Sequence, residues 1–140
     1  MSVEGVDHYT ILTDDIAATR RFYCDLLGLS EGWRPNFDFP GAWLYAGGRP
    51  IVHVIEGRKI PGRTTGAVDH LAFRNSGDPD EFSRRLTHDG IENEMRTVVG
   101  TRIRQVFCRD PNGVKIELVD QRDGKSENFA YSGGIKGFVE

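Results

Sequence analysis

Three histidines and one glutamate sit in short, largely apolar segments, His53 and Glu117 between hydrophobic neighbours and His8 and His70 each after an aspartate. His8 lies in Val6-Asp7-His8-Tyr9-Thr10-Ile11 and His53 in Ile51-Val52-His53-Val54-Ile55. His70 lies in Val68-Asp69-His70-Leu71-Ala72-Phe73 and Glu117 in Val114-Lys115-Ile116-Glu117-Leu118-Val119. If these segments are strands, successive side chains alternate between faces. Tyr9 and Ile11 then oppose His8, Val52 and Val54 oppose His53, Leu71 and Phe73 oppose His70, and Ile116 and Leu118 oppose Glu117. A carboxylate in the middle of a strand is costly to bury unless it is paired or bound to a metal. Imidazole nitrogens and carboxylate oxygens are ligands for first-row divalent ions. Two His with one carboxylate suit non-haem Fe(II), and His/Glu sets also suit Zn, Ni, Co or Mn. Asp7 and Asp69 face outward by the same alternation and are not counted as ligands. Glu56 falls on the opposite side from His53. His88 ends a helix, where a cationic imidazole is stabilised without any ligand role.

The symmetry of these positions gives them weight. Val6-Asp7-His8 matches Val68-Asp69-His70, sixty-two residues later, and the segment around His53 matches that around Glu117 at a spacing of sixty-four. Trp43 falls on Phe107 at the same spacing, and Arg20-Arg21-Phe22 on Arg84-Arg85-Leu86. Each copy reads as strand, helix, then three strands. Expected strands are 6–12, 32–38, 42–47 and 50–56 in the first copy, and 67–74, 92–98, 101–108 and 113–120 in the second. The 32–38 strand is weakened by Pro35, which has no N–H for a ladder. The first helix starts near Asp14-Asp15 and closes at Gly28; the second starts near Asp78-Pro79-Asp80 and closes near Gly90. The organisation is a single domain over 1–121, with modules at 5–57 and 67–121, a Gly- and Pro-containing linker at 58–66 and a polar, Gly-rich tail at 122–140. The fold class is α+β, two βαβββ modules forming a curved mixed sheet around a metal cavity.

The bulk properties narrow the class of function. With 140 residues and 38% hydrophobic side chains, the chain has material for a real core. A formal net charge of -3 argues against nucleic-acid binding, which normally needs a basic excess. No apolar run approaches the roughly 20 residues of a membrane span, and the N-terminus has neither the basic nor the apolar part of a signal peptide. Cys24 and Cys108 form no CxxC pair, so free thiols in a reducing, cytoplasmic compartment are expected.

The pattern resembles the vicinal-oxygen-chelate superfamily, which contains glyoxalase I, bleomycin-resistance proteins, fosfomycin-resistance enzymes and type I extradiol dioxygenases. The residues that carry the likeness are Val6-Asp7-His8, Phe22-Tyr23 with Leu26-Leu27-Gly28-Leu29, Gly41-Ala42-Trp43-Leu44, Val52-His53-Val54-Ile55, Val68-Asp69-His70-Leu71-Ala72-Phe73 and the run from Phe107-Cys108-Arg109-Asp110-Pro111-Asn112-Gly113 to Glu117-Leu118. The resemblance implies paired modules around one divalent ion, a homodimer, and metal ligands on the first and last strands of each module, here His8, His53, His70 and Glu117. Glyoxalase-like members commonly carry Glu where this chain has His53. Bleomycin-resistance proteins lack the metal set.

A divalent ion with open positions chelates two neighbouring substrate oxygens and acts as a Lewis acid. The leading expectation is therefore a glyoxalase-like lyase or isomerase acting on a small oxygenated compound, with Glu117 and His53 as catalytic candidates. The alternatives are an Fe(II)-dependent extradiol dioxygenase and a non-catalytic protein that sequesters a drug-like ligand. Candidate substrate-binding residues are Trp43 and Phe107, as apolar walls with Tyr45, and Arg102 with Arg104, which share a face if both lie in one strand and would then suit an anion. Lys115, on the side of Glu117, either pairs with it or meets a substrate.

Overall fold

The computed structural model describes residues 1–120 except Val3 and Arg63, so the tail at 122–140 lies outside the described residues. The described residues separate into two compact units, one holding those of 1–62 together with 110–112 and the other 64–109 with 113–120.

The first unit contains β1 (Tyr9–Thr13), the helix α1 (Ile16–Arg20), a π-helical continuation (Arg21–Leu26), β2 (Ser30–Gly32), β3 (Gly41–Ala46) and β4 (Arg49–Glu56). Its sheet runs β1-β4-β3-β2, with β1 parallel to β4 and the other pairs antiparallel. Asp15 caps α1 by accepting from Ala18 N–H, and Glu56 Oε2 accepts from Ile16 N–H at 3.0 Å. Both carboxylates sit at the positive end of the helix, where the first N–H groups lack backbone partners. Gly28, at φ +80°, ends the helical stretch in a conformation that suits glycine. Ile11, Ala42, Leu44, Val52, Val54, Phe22 and Tyr23 are buried. The strand residues among them belong to one face of the sheet, as alternation requires.

The turn Asp110-Pro111-Asn112 packs with this unit. Tyr23 Oη donates to Asp110 Oδ2 at 2.7 Å, and Asn112 Nδ2 donates to Thr19 Oγ1 at 3.0 Å. The two most specific motifs of the sequence therefore touch each other.

The second unit contains β5 (Leu71–Asn75), α2 (Pro79–His88), β6 (Asn93–Thr97), β7 (Arg104–Arg109) and β8 (Lys115–Asp120), in the order β5-β8-β7-β6. Asp78 caps α2 with Pro79 in its first turn, and Ile91 N–H bonds back to Leu86 C=O at 2.8 Å past the helix end. Leu71, Leu86, Val106, Cys108, Ile116 and Leu118 form the helix-side core. The α+β class and the two βαβββ modules are as expected, realised as two four-stranded mixed sheets that are not closed.

Several strand limits differ from expectation. The strand anticipated at 32–38 is only β2, Ser30–Gly32. Beyond it Pro35 cannot donate, and its carbonyl accepts from Phe37 N–H at 2.8 Å in a local turn. The strand anticipated at 101–108 begins at Arg104, because Val98 and Thr101 close a turn with the Val98 N–H to Ile103 C=O bond at 2.9 Å. Arg102 thus precedes the strand. The first strand of each copy begins one residue after its histidine, at Tyr9 and Leu71. Among the described residues no helix is long and apolar enough to cross a membrane.

Candidate metal centre

The duplicated residues occupy equivalent places in the two sheets. In the first unit Thr10, His53 and Trp43 are lateral neighbours across β1, β4 and β3. In the second, Ala72, Glu117 and Phe107 are neighbours across β5, β8 and β7. His53 and Glu117 are therefore register equivalents, as are Trp43 and Phe107. His8 and His70 stand just before the first strand of each unit.

In the second unit His70 Nε2 lies 2.8 Å from Glu117 Oε2, and His70 Nδ1 lies 2.8 Å from Asp69 Oδ2. The side chain of Glu117 is only 3% exposed. Its other oxygen, Oε1, accepts from Gln105 Nε2 at 2.6 Å, a buried contact that fixes the carboxylate plane. The Phe107 ring meets His70 edge-on at 5.9 Å, with Arg96 and Lys115 at 5.2 and 5.0 Å from its centroid. Lys115 Nζ reaches Asp69 Oδ2 at 3.3 Å.

In the first unit His8 Nδ1 lies 2.6 Å from Asp7 Oδ1, the counterpart of the His70–Asp69 contact. In each case the hydrogen bond to the adjacent His holds the aspartate below its usual carboxylate pKa; for Asp69, Lys115 acts in the same direction. A carboxylate on Nδ1 orients an imidazole so that Nε2 serves as the ligand atom. His53 is sandwiched between His8, at 3.8 Å between centroids, and Trp43, at 4.1 Å, with both pairs nearly parallel. Burial holds its pKa below the ordinary value of 6.5, and the nearby His8 adds to this, so His53 is neutral at pH 7. Its Nε2 is buried with no hydrogen-bond partner among the described residues. A neutral imidazole with an unused lone pair in a buried position fits a metal ligand.

The stack sets a limit on that fit. The rings of His8 and His53 are tilted by only 15°, so their planes do not meet near either nitrogen. Metal bonds to imidazole lie in the ring plane at about 2.0–2.1 Å. Both rings reach one ion only after one of them turns, and His8, whose side chain is 36% exposed, has the freedom to do so. Among the described residues no group of three or more His, Cys, Asp or Glu side chains is gathered as a metal cluster. The candidates come as two pairs, one in each unit.

The other sequence candidates are placed as follows. Trp43 and Phe107 share the sheet faces of His53 and Glu117, and Tyr45 follows Trp43 on its face. Arg104 is on the helix side of its sheet, where both terminal nitrogens bind Asp80 at 2.9 and 3.0 Å. Arg102 is exposed and outside the strand. Glu56 is occupied at the start of α1, and His88 contacts only Asp89 among the described residues.

The family model described as Glyoxalase/Bleomycin resistance protein/Dioxygenase superfamily matches residues 5–118. The chain belongs to this superfamily. Similar to this superfamily member is the Escherichia coli K12 protein YaeR, itself uncharacterized, which is 29% identical over 129 residues, 86% of this chain and 99% of the relative. Among solved structures, the fosfomycin resistance protein FosX from Listeria monocytogenes superposes with a TM-score of 0.67 at 22% identity, covering 84% of this chain and 91% of its own. The virulence protein STM3117 from Salmonella typhimurium gives 0.61 at 25% identity, covering 86% and 98%. These likenesses confirm the superfamily fold, with its two βαβββ modules.

Three residues of the superfamily member's candidate site were not anticipated from sequence. Asp7 and Asp69 were read as outward-facing non-ligands, yet each reaches its neighbouring histidine. The repeated Asp-His dipeptide was the available signal. Gln105 carried none, because its role depends on the pairing of β7 with β8.

Proposed function

We propose that this protein is a metal-dependent enzyme of the glyoxalase-like lyase or isomerase type, acting on a small oxygenated substrate. In this reading His8, His53, His70 and Glu117 hold one divalent ion, Zn, Ni, Co, Mn or Fe(II), and the protein works as a homodimer in the cytoplasm. The observation that carries it is the buried, unpartnered Nε2 of His53, at the register position that Glu117 occupies in the other unit. When bound, the ion supplies a Lewis acid for two neighbouring substrate oxygens. Gln105 holds Glu117 Oε1, and Oε2, 2.8 Å from His70 Nε2, is the oxygen that takes and returns a proton in this reading. Trp43 stacks on His53 and Phe107 meets His70 edge-on, so both serve as apolar walls for the substrate.

A second reading, Fe(II)-dependent ring cleavage of a catechol, is favoured by the aromatic surface beside His53. Metal analysis of the purified protein, before and after chelation, tests the shared premise. About one ion per chain is expected, with its loss in His70→Ala and Glu117→Ala. Oxygen uptake with catechols then separates the two enzymes. Ligand binding indifferent to chelator and to His8→Ala, in a protein that takes up no metal, would refute both and leave a sequestering protein.

A further inference from the structure

The segment between β2 and β3 has no part in the reading above, yet it places two planar side chains, Trp33 and Phe37, beside Trp43. Trp33 is 73% exposed and Phe37 42%, large apolar rings left in water. Trp33 meets Trp43 at nearly a right angle, 5.9 Å between centroids, and Phe37 lies 6.4 Å from Trp43 and stacks on Phe39 at 5.0 Å. Trp43 in turn stacks on His53. The rings thus run continuously from a candidate ligand to the surface of the first unit. Two aromatic planes meeting at a right angle make a corner in which a flat ring stacks on one and meets the other edge-on.

A cation stands beside this corner. The Arg34 guanidinium lies 4.9 and 5.0 Å from the ring centroids of Phe37 and Phe39, and its Nη2 donates to the Phe39 carbonyl at 2.9 Å. It rests against Gly41, where an added Cβ would come within 3.1 Å of Nη2. Arg58 covers Phe39 from 5.0 Å. No carboxylate pairs with either arginine among the described residues. Gly41 and Trp43 are two residues apart on one strand face, a separation of about 7 Å. That is the scale from an aromatic ring to the anionic end of an aryl acid.

We infer that Trp33, Phe37, Trp43 and Arg34 form a subsite for a planar aromatic ligand bearing a carboxylate or similar anionic group. As a substrate subsite it rests on the metal-dependent reading; as a binding site it stands alone. The ring is held by Trp33 and Trp43, and the anion by the free donors of Arg34, a planar group suited to carboxylates.

The test is calorimetric titration of the full chain, both metal-loaded and chelator-treated, with 2-naphthoate, 2-naphthamide and cyclohexanecarboxylate. Naphthoate is expected to bind about tenfold tighter than either control, the size of one charge-assisted contact or one stacking contact. Arg34→Gln removes the preference for acid over amide, and Trp33→Ala, at an exposed position, weakens both naphthyl compounds about tenfold. Equal affinity for acid and amide, or an Arg34→Gln variant that keeps the preference, overturns the inference. So does a dimer that Trp33→Ala dissociates while naphthoate fails to bind, which would assign the patch to a second copy of the chain. Naphthoate selectivity in a protein that takes up no metal sinks the metal reading and leaves the subsite standing; the converse result sinks the subsite alone.

Discussion

Replacing Gln105 with Leu offers a sharp test of how Glu117 is prepared for its proposed role. Gln105 and Glu117 are 3% and 2% exposed, and Nε2 to Oε1 is 2.6 Å. A hydrogen bond to a charged group contributes about 1.5–3 kcal/mol, and leucine offers no donor. Loss of an outer partner of a metal ligand typically lowers metal affinity about 10–100-fold. At about 1.4 kcal/mol per tenfold, that factor corresponds to roughly 1.4–2.8 kcal/mol, so the two routes agree. The assay is competition for Zn against a chromophoric chelator near neutral pH, with circular dichroism to confirm that the variant is folded. An affinity within about twofold of the parent, under 0.5 kcal/mol, would show that Gln105 does not position a ligand. If the parent itself binds no Zn, Ni, Co, Mn or Fe(II), the fault lies with the metal reading instead.

Other consequences follow from particular contacts. Tyr23→Phe removes the buried hydroxyl that donates to Asp110 and is expected to lower unfolding stability by about 1–3 kcal/mol in urea titration, with an unchanged slope. Gly41→Ala puts a Cβ 2.2 Å from the Val54 carbonyl oxygen, so β3 and β4 must separate locally; a loss of about 1–3 kcal/mol is expected, and a neutral result would contradict the register. Burial raises the Cys24 thiol above its ordinary 9.0, and the Glu31 and Asp25 carboxylates act in the same sense. Site-resolved alkylation near pH 8 is therefore expected to be slower in the native than in the urea-unfolded chain. The stabilising contribution of this thiol is full below 9.0 and is lost as pH rises through the raised native value. Equal alkylation rates in the two states would count against the burial of Cys24.

The chemistry-bearing faces were legible because they are local properties of the chain. Period-two alternation around His53 and Glu117, the Asp15 and Asp78 caps, and Gly28 and Gly90 past the helix ends each depend on a few neighbouring residues. The repeat extended that local reading to two equivalent sheets, since similar apolar patterns at a near-constant spacing favour the same register. Pro35 also warned that the strand after Gly32 would fail, although not how early.

What lies beside each of those residues was decided only in three dimensions. Gln105 stands next to Glu117 because β7 pairs with β8 in one register, and Trp43 covers His53 because β3 pairs with β4 in the equivalent one. Arg104 turns to Asp80 on α2 because the pairing of β7 with β8 sets Gln105 and Phe107 on the face of Glu117 and leaves Arg104 on the helix side. Alternation along a strand is a property of the covalent backbone, written into any stretch of residues. Lateral neighbours come from hydrogen-bonded pairing between segments distant in sequence, and only the folded sheet selects them.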